Sequence, residues 1–273
     1  MVRLVVVPKA RVNLSPAQLA VLFSSGLVAG SVNSIAGGGS LITFPTLLGA
    51  GIGQIAANAT NTVALVPGSA AAFAGYRDTL RGDLRLVLTM ALPSALGGLG
   101  GAVLALSVGD AVFARVVPWL ILLATTLFAL QEPIARAVKA RASLEPEHPL
   151  TPSRMVGLAL FQCVVALYGG FFGAGIGILM LAALTLMGVR DVHRANGLKN
   201  LAAVCINGVA AVAFVARGKV LWLPALAVAI GAIAGGFAGA GVARRVGQRA
   251  VRRAVLAVGV TLTVVMFVRA WRS

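Results

Sequence analysis

Ala36-Gly37-Gly38-Gly39-Ser40, and again Gly173-Ala174-Gly175-Ile176-Gly177, are the two stretches on which the reading of this chain turns. Each follows a long apolar run and precedes a short one, 41–50 in the first case and 178–187 in the second. A helix needs about 20 apolar residues to cross a bilayer, so these short runs cannot span. Glycine weakens a helix interior by about 1 kcal/mol per residue relative to Ala, so each cluster breaks its helix. Irregular backbone at membrane depth persists only where protein buries it or a cavity borders it. The two breaks therefore point to a common central site.

The rest of the chain supplies the membrane. Of 273 residues, 59% are hydrophobic and 11% charged, with a mean hydropathy of +0.96. A soluble domain is nearer a quarter charged. Eight long apolar segments lie near 16–36, 56–76, 84–106, 112–131, 154–172, 198–216, 220–241 and 253–271. The first is read as a retained span rather than a cleaved leader, because MVRLVVVPKAR carries no clear cleavage signal. The formal charge of +16 would suggest nucleic acid in a soluble protein, but here Lys and Arg gather in short connections, as the positive-inside rule requires. Cys163 and Cys205 sit apart in apolar segments, so neither a disulfide framework nor a metal site is implied. The expected class is all-α: a polytopic integral membrane protein of two repeats, each of about four membrane helices with one glycine-broken hairpin.

Residues 1–131 and 154–273 form the two membrane repeats, separated by an exposed linker, 132–153, with Pro133, Pro146, Pro149 and Pro152. Val32–Ile42 lies over Tyr168–Ile178 at an offset of 136, Asn58–Thr62 over Ala195–Lys199 at 137, and Gly97 and Gly101 over Gly231 and Gly235 at 134. Internal repeats are common in secondary transporters. If each break makes a hairpin, one membrane face collects 15 Lys and Arg and the other 8. That face is read as cytoplasmic, with the linker on it and both termini outside. Each half then crosses an odd number of times, so the halves are inverted.

The candidate site residues follow from the breaks and from polar residues inside spans. Gly37, Gly38, Gly39, Gly173, Gly175 and Gly177 form the breaks, and Asn33 and Ser34 precede the first. A helix restarting after a break presents free N–H groups and a partial positive charge, which favours an anion. Asn58, Asn61 and Thr62 stand at i, i+3, i+4 with Thr60 beside them, and Asn196, Lys199 and Asn200 repeat that spacing, with Asn207 extending the stripe by two turns. Amides and hydroxyls offer both donors and acceptors. Lys199 is ionisable within a span, a costly placement that marks function. Packing alone is the competing explanation for the small and amide residues, and it is preferred for Gly97, Gly101, Gly231, Gly235 and Gly239.

What is missing is equally informative. Asp78, Asp83, Asp110, Glu132, Glu145, Glu147 and Asp191 are all the acids, and each falls in a connection or at a helix end. No carboxylate stands mid-span to bind a cation or relay a proton. The sequence has no G-x-x-x-x-G-K-[ST], H-E-x-x-H or G-x-S-x-G, so neither an ATP motor nor hydrolase chemistry is expected. No enzyme activity, cofactor or metal is expected.

At these residues the chain resembles the TauE/SafE family of sulfite and organosulfur-anion exporters. The resemblance lies in Ser34–Pro45 (SIAGGGSLITFP), Asn58–Leu65 (NATNTVAL), Tyr168–Gly177 (YGGFFGAGIG) and Leu198–Leu201 (LKNL), and it extends over nearly the whole chain. In the family pattern a Lys often follows Thr-Asn, where this chain has Thr62, and Ser-Lys stands where it has Leu198-Lys199. One of two family lysines is thus absent. The resemblance implies a transporter in the bacterial cytoplasmic membrane that exports a small anion, sulfite or a related oxyanion. The alternatives are a carrier of another small anion and a non-transporting scaffold. The expected partners are the substrate, the lipid bilayer and, through the glycine faces, a second copy in a homodimer.

Overall fold

The computed structural model describes residues 14–35, 38–144, 151–189, 191–246 and 248–272, and all its regular elements are helical. In chain order they are α1 (Pro16–Ile35), α2 (Ser40–Gly49), α3 (Gln54–Tyr76), a 3-10 turn (Arg77–Leu80), α4 (Leu84–Ser107), α5 (Gly109–Ala129), α6 (Gln131–Leu144), α7 (Pro152–Phe171), α8 (Ile176–Leu186), α9 (Val192–Ala216), α10 (Trp222–Val246) and α11 (Gln248–Arg272). The eight long apolar segments are α1, α3, α4, α5, α7, α9, α10 and α11, and the two short ones are α2 and α8.

Local chemistry sets the helix starts. The Asp83 side chain accepts from the Leu86 N–H at the head of α4, and Asp191 accepts from the His193 and Arg194 N–H groups at the head of α9. Thr151 caps α7, with Pro152 in its first turn, where a missing N–H costs nothing. The acids thus occupy helix ends, as their sequence positions suggested. The first part of the expected linker is helical. Residues 131–144 are helical as α6, because Leu130 continues the ladder by accepting from the Ile134 N–H at 2.8 Å. Outside Pro133, in the first turn, and Ser143, in the last, α6 holds good helix formers and the β-branched Ile134 and Val138. His148 lies outside the described residues.

Among the described residues, four helices are long and apolar enough to cross a membrane: Leu84–Ser107, Gly109–Ala129, Pro152–Phe171 and His193–Ala216. A 24-residue helix is about 36 Å long, against a hydrocarbon core of about 30 Å. Their outer faces are apolar, with Leu96 70% and Val164 67% exposed, the inverse of a soluble surface.

Glycine decides which helices meet. A Cβ on Gly26 or Gly30 of α1 would collide with the carbonyl oxygens of Val228 and Ala232, and one on Gly231 or Gly235 of α10 with those of Phe23 and Leu27. The two backbones therefore run side by side in the same direction. The same holds for α4 and α7, where a Cβ on Gly97 would come within 2.6 Å of the Cys163 carbonyl oxygen and one on Gly101 would strike that of Leu167. These faces, read as small-residue packing, are used inside the chain. Gly98, halfway along α4, also meets α9, with Ile206 Cα 2.8 Å from its would-be Cβ.

The connections define two ends of the bundle. At one, Arg194 forms an ion pair with Asp83 and the His193 and Tyr76 rings stand 6.2 Å apart. At the other, the Leu221 N–H donates to Thr60 Oγ1 at 3.1 Å and the Ile55 N–H to Asp110 at 3.1 Å. These ends are called below the Asp83 face and the Leu221 face.

Candidate functional site

The second break is built from two left-handed glycines, Gly173 (φ +82°) and Gly175 (φ +81°), a conformation that any Cβ disfavours. Between them the Ala174 carbonyl accepts from the Tyr168 hydroxyl at 2.7 Å. Helix α8 then runs back beside α7, because Gln162 Nε2 on α7 reaches Met180 Sδ on α8 at 3.5 Å. In the first break Gly38 is left-handed (φ +92°), and the Gly39 N–H donates to Asn33 Oδ1 at 2.8 Å. The two breaks are thus held by different devices, a side-chain acceptor in one and a hydroxyl donor in the other.

A cavity of about 420 Å³ lies beside both breaks and reaches Tyr76, at the Asp83 end of α3. Its lining brings together Asn33, Gly38 and Gly39 from the first half with Gly173, Gly175, Gly177, Lys199 and Asn200 from the second. The head of α2 enters through Ser40 and the head of α8 through Ile176, so two helix N-termini meet one space. Lys199 is the only charged side chain among the described lining residues. Its stem passes Gly177, with Cδ 3.5 Å from where a Cβ would stand, and its ammonium donates to Asn196 Oδ1 at 3.1 Å. No described carboxylate lines the cavity. A cation, two positive helix ends and several amides converge there, an arrangement that attracts an anion.

Other residues singled out from the sequence stand elsewhere. Asn58, Thr60 and Asn61 are buried, and with Thr62 they do not line the cavity. Asn58 Nδ2 donates to the Phe171 carbonyl at 2.9 Å, Thr43 donates to Asn61 Oδ1, Thr60 receives the Leu221 N–H, and Thr62 donates back to the Asn58 carbonyl at 2.9 Å. This stripe ties α3 to α2, to the end of α7 and to the head of α10. Gly37 and the Ser34 side chain lie outside the described residues.

The cavity also holds Asn207, which extends the Lys199 stripe in the sequence, and Ser69, Tyr76 and Met180, which sequence reasoning missed. A signal exists for all but Met180. Leu65, Ser69, Ala72 and Tyr76 continue the helical face of Asn58 and Asn61, and Asn207 continues that of Lys199, Asn200 and Ala203. Met180 has no such signal, because an apolar residue in a short apolar helix looks like core.

At the Asp83 face the polar residues serve as caps. The N–H groups of Arg194 and His193 hold the exposed Asp191 carboxyl below the usual carboxylate range. Asp83 both caps α4 and pairs with Arg194, joining the heads of α4 and α9.

The sequence model of the family described as Sulfite exporter TauE/SafE matches residues 22–266. A probable membrane transporter protein, ORF9, from Sinorhizobium sp is 30% identical over 247 residues, 90% of this chain and 91% of its own length. A probable membrane transporter protein from Haemophilus influenzae is 31% identical, covering 81% of this chain and 84% of its own. The probable membrane transporter protein YfcA of Escherichia coli K12 is 30% identical, covering 81% and 79%. No solved structure matches significantly. Membership in a transporter family displaces the scaffold alternative, and the chain, a multi-pass membrane protein, belongs to the TauE/SafE family of membrane transporters.

Proposed function

We propose that this transporter exports a small anion, sulfite or a related organosulfur oxyanion, and holds it between the two breaks. The observation that carries the reading is the cavity itself. Lys199 and the heads of α2 and α8 face one space, and no described carboxylate opposes them. Asn33, Gly38, Gly39, Gly173, Gly175, Gly177 and Asn200 complete the proposed site. The N-A-T-N-T stripe, Asn58–Thr62, holds the other side of that site closed.

Two inverted repeats supply the motion. Parallel pairing of α1 with α10, and of α4 with α7, supports this reading, since each pairs the first helix of one half with the corresponding later helix of the other. The contact of Gly97 with Cys163 corresponds to that of Gly235 with Leu27 at offsets of 138 and 136. Those offsets agree with the Asn58/Asn196 and break spacings better than the 134 of the Gly97/Gly231 alignment. The halves rock about the site so that it faces each side in turn. The Asp83 face, which gathers the basic connections, is assigned to the cytoplasm and the protein to the cytoplasmic membrane. With the inside negative, export gains about 2.3 kcal/mol per negative charge per 100 mV, so an exporter needs no proton-relaying carboxylate.

The test is thermal stabilisation of the purified protein by sulfite, sulfate, thiosulfate, taurine, sulfoacetate and acetate. A ligand at 100 times its dissociation constant stabilises by about 2.7 kcal/mol. A shift with one sulfur oxyanion, lost in Lys199→Ala, supports substrate class and site together. Equal response to all six, or to none, defeats the sulfur-anion assignment.

A further inference from the structure

Two pairs of aromatic rings stand beside the breaks whose glycines line the cavity. Phe44, on α2 one turn beyond the cavity-lining Ser40, meets Phe172, the residue before the cavity-lining Gly173. Their ring centroids are 5.1 Å apart and their planes 87° to each other, and they are only 1% and 3% exposed. Beside them Phe113 and Phe171 stand 5.2 Å apart, with Phe113 fully buried. One ring of the first pair comes from each broken segment, so this pair bridges the two breaks directly.

We propose that Phe44 and Phe172 form the barrier that separates the site from the Leu221 face, and that their separation is the step that opens the site to that side. A carrier must expose its site to both faces in turn. An anion cannot pass between buried rings, which offer no hydrogen bonds and present a negative π face. The backbone beside each ring is equipped to turn. Phe172 adjoins the left-handed Gly173, and Phe44 lies in the second turn of a helix that begins at a glycine break. Toward the Asp83 face, where Tyr76 and His193 pair at 6.2 Å, no ring pair among the described residues joins the two broken segments. Phe44 is the fifth residue of α2, while the fifth residue of α8 is Met180, a flexible thioether that lines the open cavity. The assignment rests on the transporter reading but not on which anion is carried.

The experiment uses the full chain in lipid vesicles, with Cys163→Ser and Cys205→Ser removing the native thiols. Ser40→Cys then places one thiol in the cavity, and a membrane-impermeant maleimide is applied from each face in turn. The expected result is modification from the Asp83 face alone. Adding Phe44→Ala or Phe172→Ala should raise modification from the Leu221 face by about tenfold, as the open population grows, with Asp83-face modification unchanged as the check on folding. Phe44→Leu and Phe172→Leu, which keep apolar bulk, should give intermediate rates and cover the case in which an alanine variant does not fold. Fast modification of Ser40→Cys from the Leu221 face with both rings intact would overturn the proposal. So would folded alanine and leucine variants that all stay closed there. A protein that shows the expected pattern but moves none of the six anions would instead count against the proposed substrate, leaving the barrier in place.

Discussion

Asn61 and Ser69 stand two turns apart on one face of α3, yet their surroundings are opposite. Asn61 is 2% exposed and accepts from Thr43 of α2. Ser69 lines the cavity and donates back to the Leu65 carbonyl of its own helix, at 3.3 Å. The same polar stripe thus latches the closed end of the molecule and then lines the open one. In α9 Lys199, Asn200, Ala203 and Asn207 line the cavity, while Asn196, the first of that stripe, stands outside it and accepts from the Lys199 ammonium. The difference teaches that a repeated polar pattern within a membrane does not assign one role to both copies. What decides the role is whether the neighbouring helices close over the residue.

Four expected outcomes break or sharpen that comparison. The largest effect belongs to the crossing that supports both ends. Gly98→Val would drive a side chain into Ile206 of α9, whose Cα lies 2.8 Å from the new Cβ. A loss of about 3 kcal/mol is expected, measured as a fall in the thermal midpoint in detergent, and a midpoint near that of the parent would mean that α4 and α9 are less closely set than described. Next comes the open end. Lys199→Ala should abolish the anion-dependent stabilisation, about 2.7 kcal/mol at 100 times the parent dissociation constant, while leaving the ligand-free midpoint nearly unchanged.

At the closed end, Asn61→Leu removes one of the acceptors of Thr43, which keeps the Gly39 carbonyl at 3.2 Å, and should cost about 1 kcal/mol of stability. Anion affinity of the folded fraction should stay the same, whereas Asn200→Ala should weaken the anion and spare stability. If each variant altered both quantities equally, the division of labour along the two stripes would dissolve. The smallest effect lies at the head of α9. Asp191, with its carboxyl held low by two backbone N–H groups, stabilises above the ordinary carboxylate pKa. That contribution is lost as the pH falls through the lower folded value. Asp191→Asn should flatten the acid limb of a stability–pH curve and change little at neutral pH.

Much of the fold was legible in the residues. Twenty-residue apolar runs, connections rich in Arg and two glycine clusters located eight long helices and two short ones, because a bilayer imposes helix length and only glycine takes the left-handed turns at Gly38, Gly173 and Gly175. α6 was read as linker, since its prolines and charges resemble an exposed connection. Three of the four prolines, however, fall beyond Leu144, and the helix continues from α5 through Leu130. At the site, Lys199, Asn200, Asn33 and the described break glycines were recognisable from their type and spacing, and they do line one cavity.

The roles of Asn58, Thr60, Asn61 and Thr62 were not recognisable, nor was Met180 as cavity wall. Residue type and periodicity determine that a position is helical, polar and inward, because those properties belong to the chain and to the thickness of the bilayer. Whether an inward amide meets a carbonyl, as Asn58 meets Phe171, or an open space depends on how far apart the neighbouring backbones stand. That separation follows from contacts between residues over a hundred positions apart, such as Gly30 with Ala232 and Phe44 with Phe172, and only the tertiary structure brings them together.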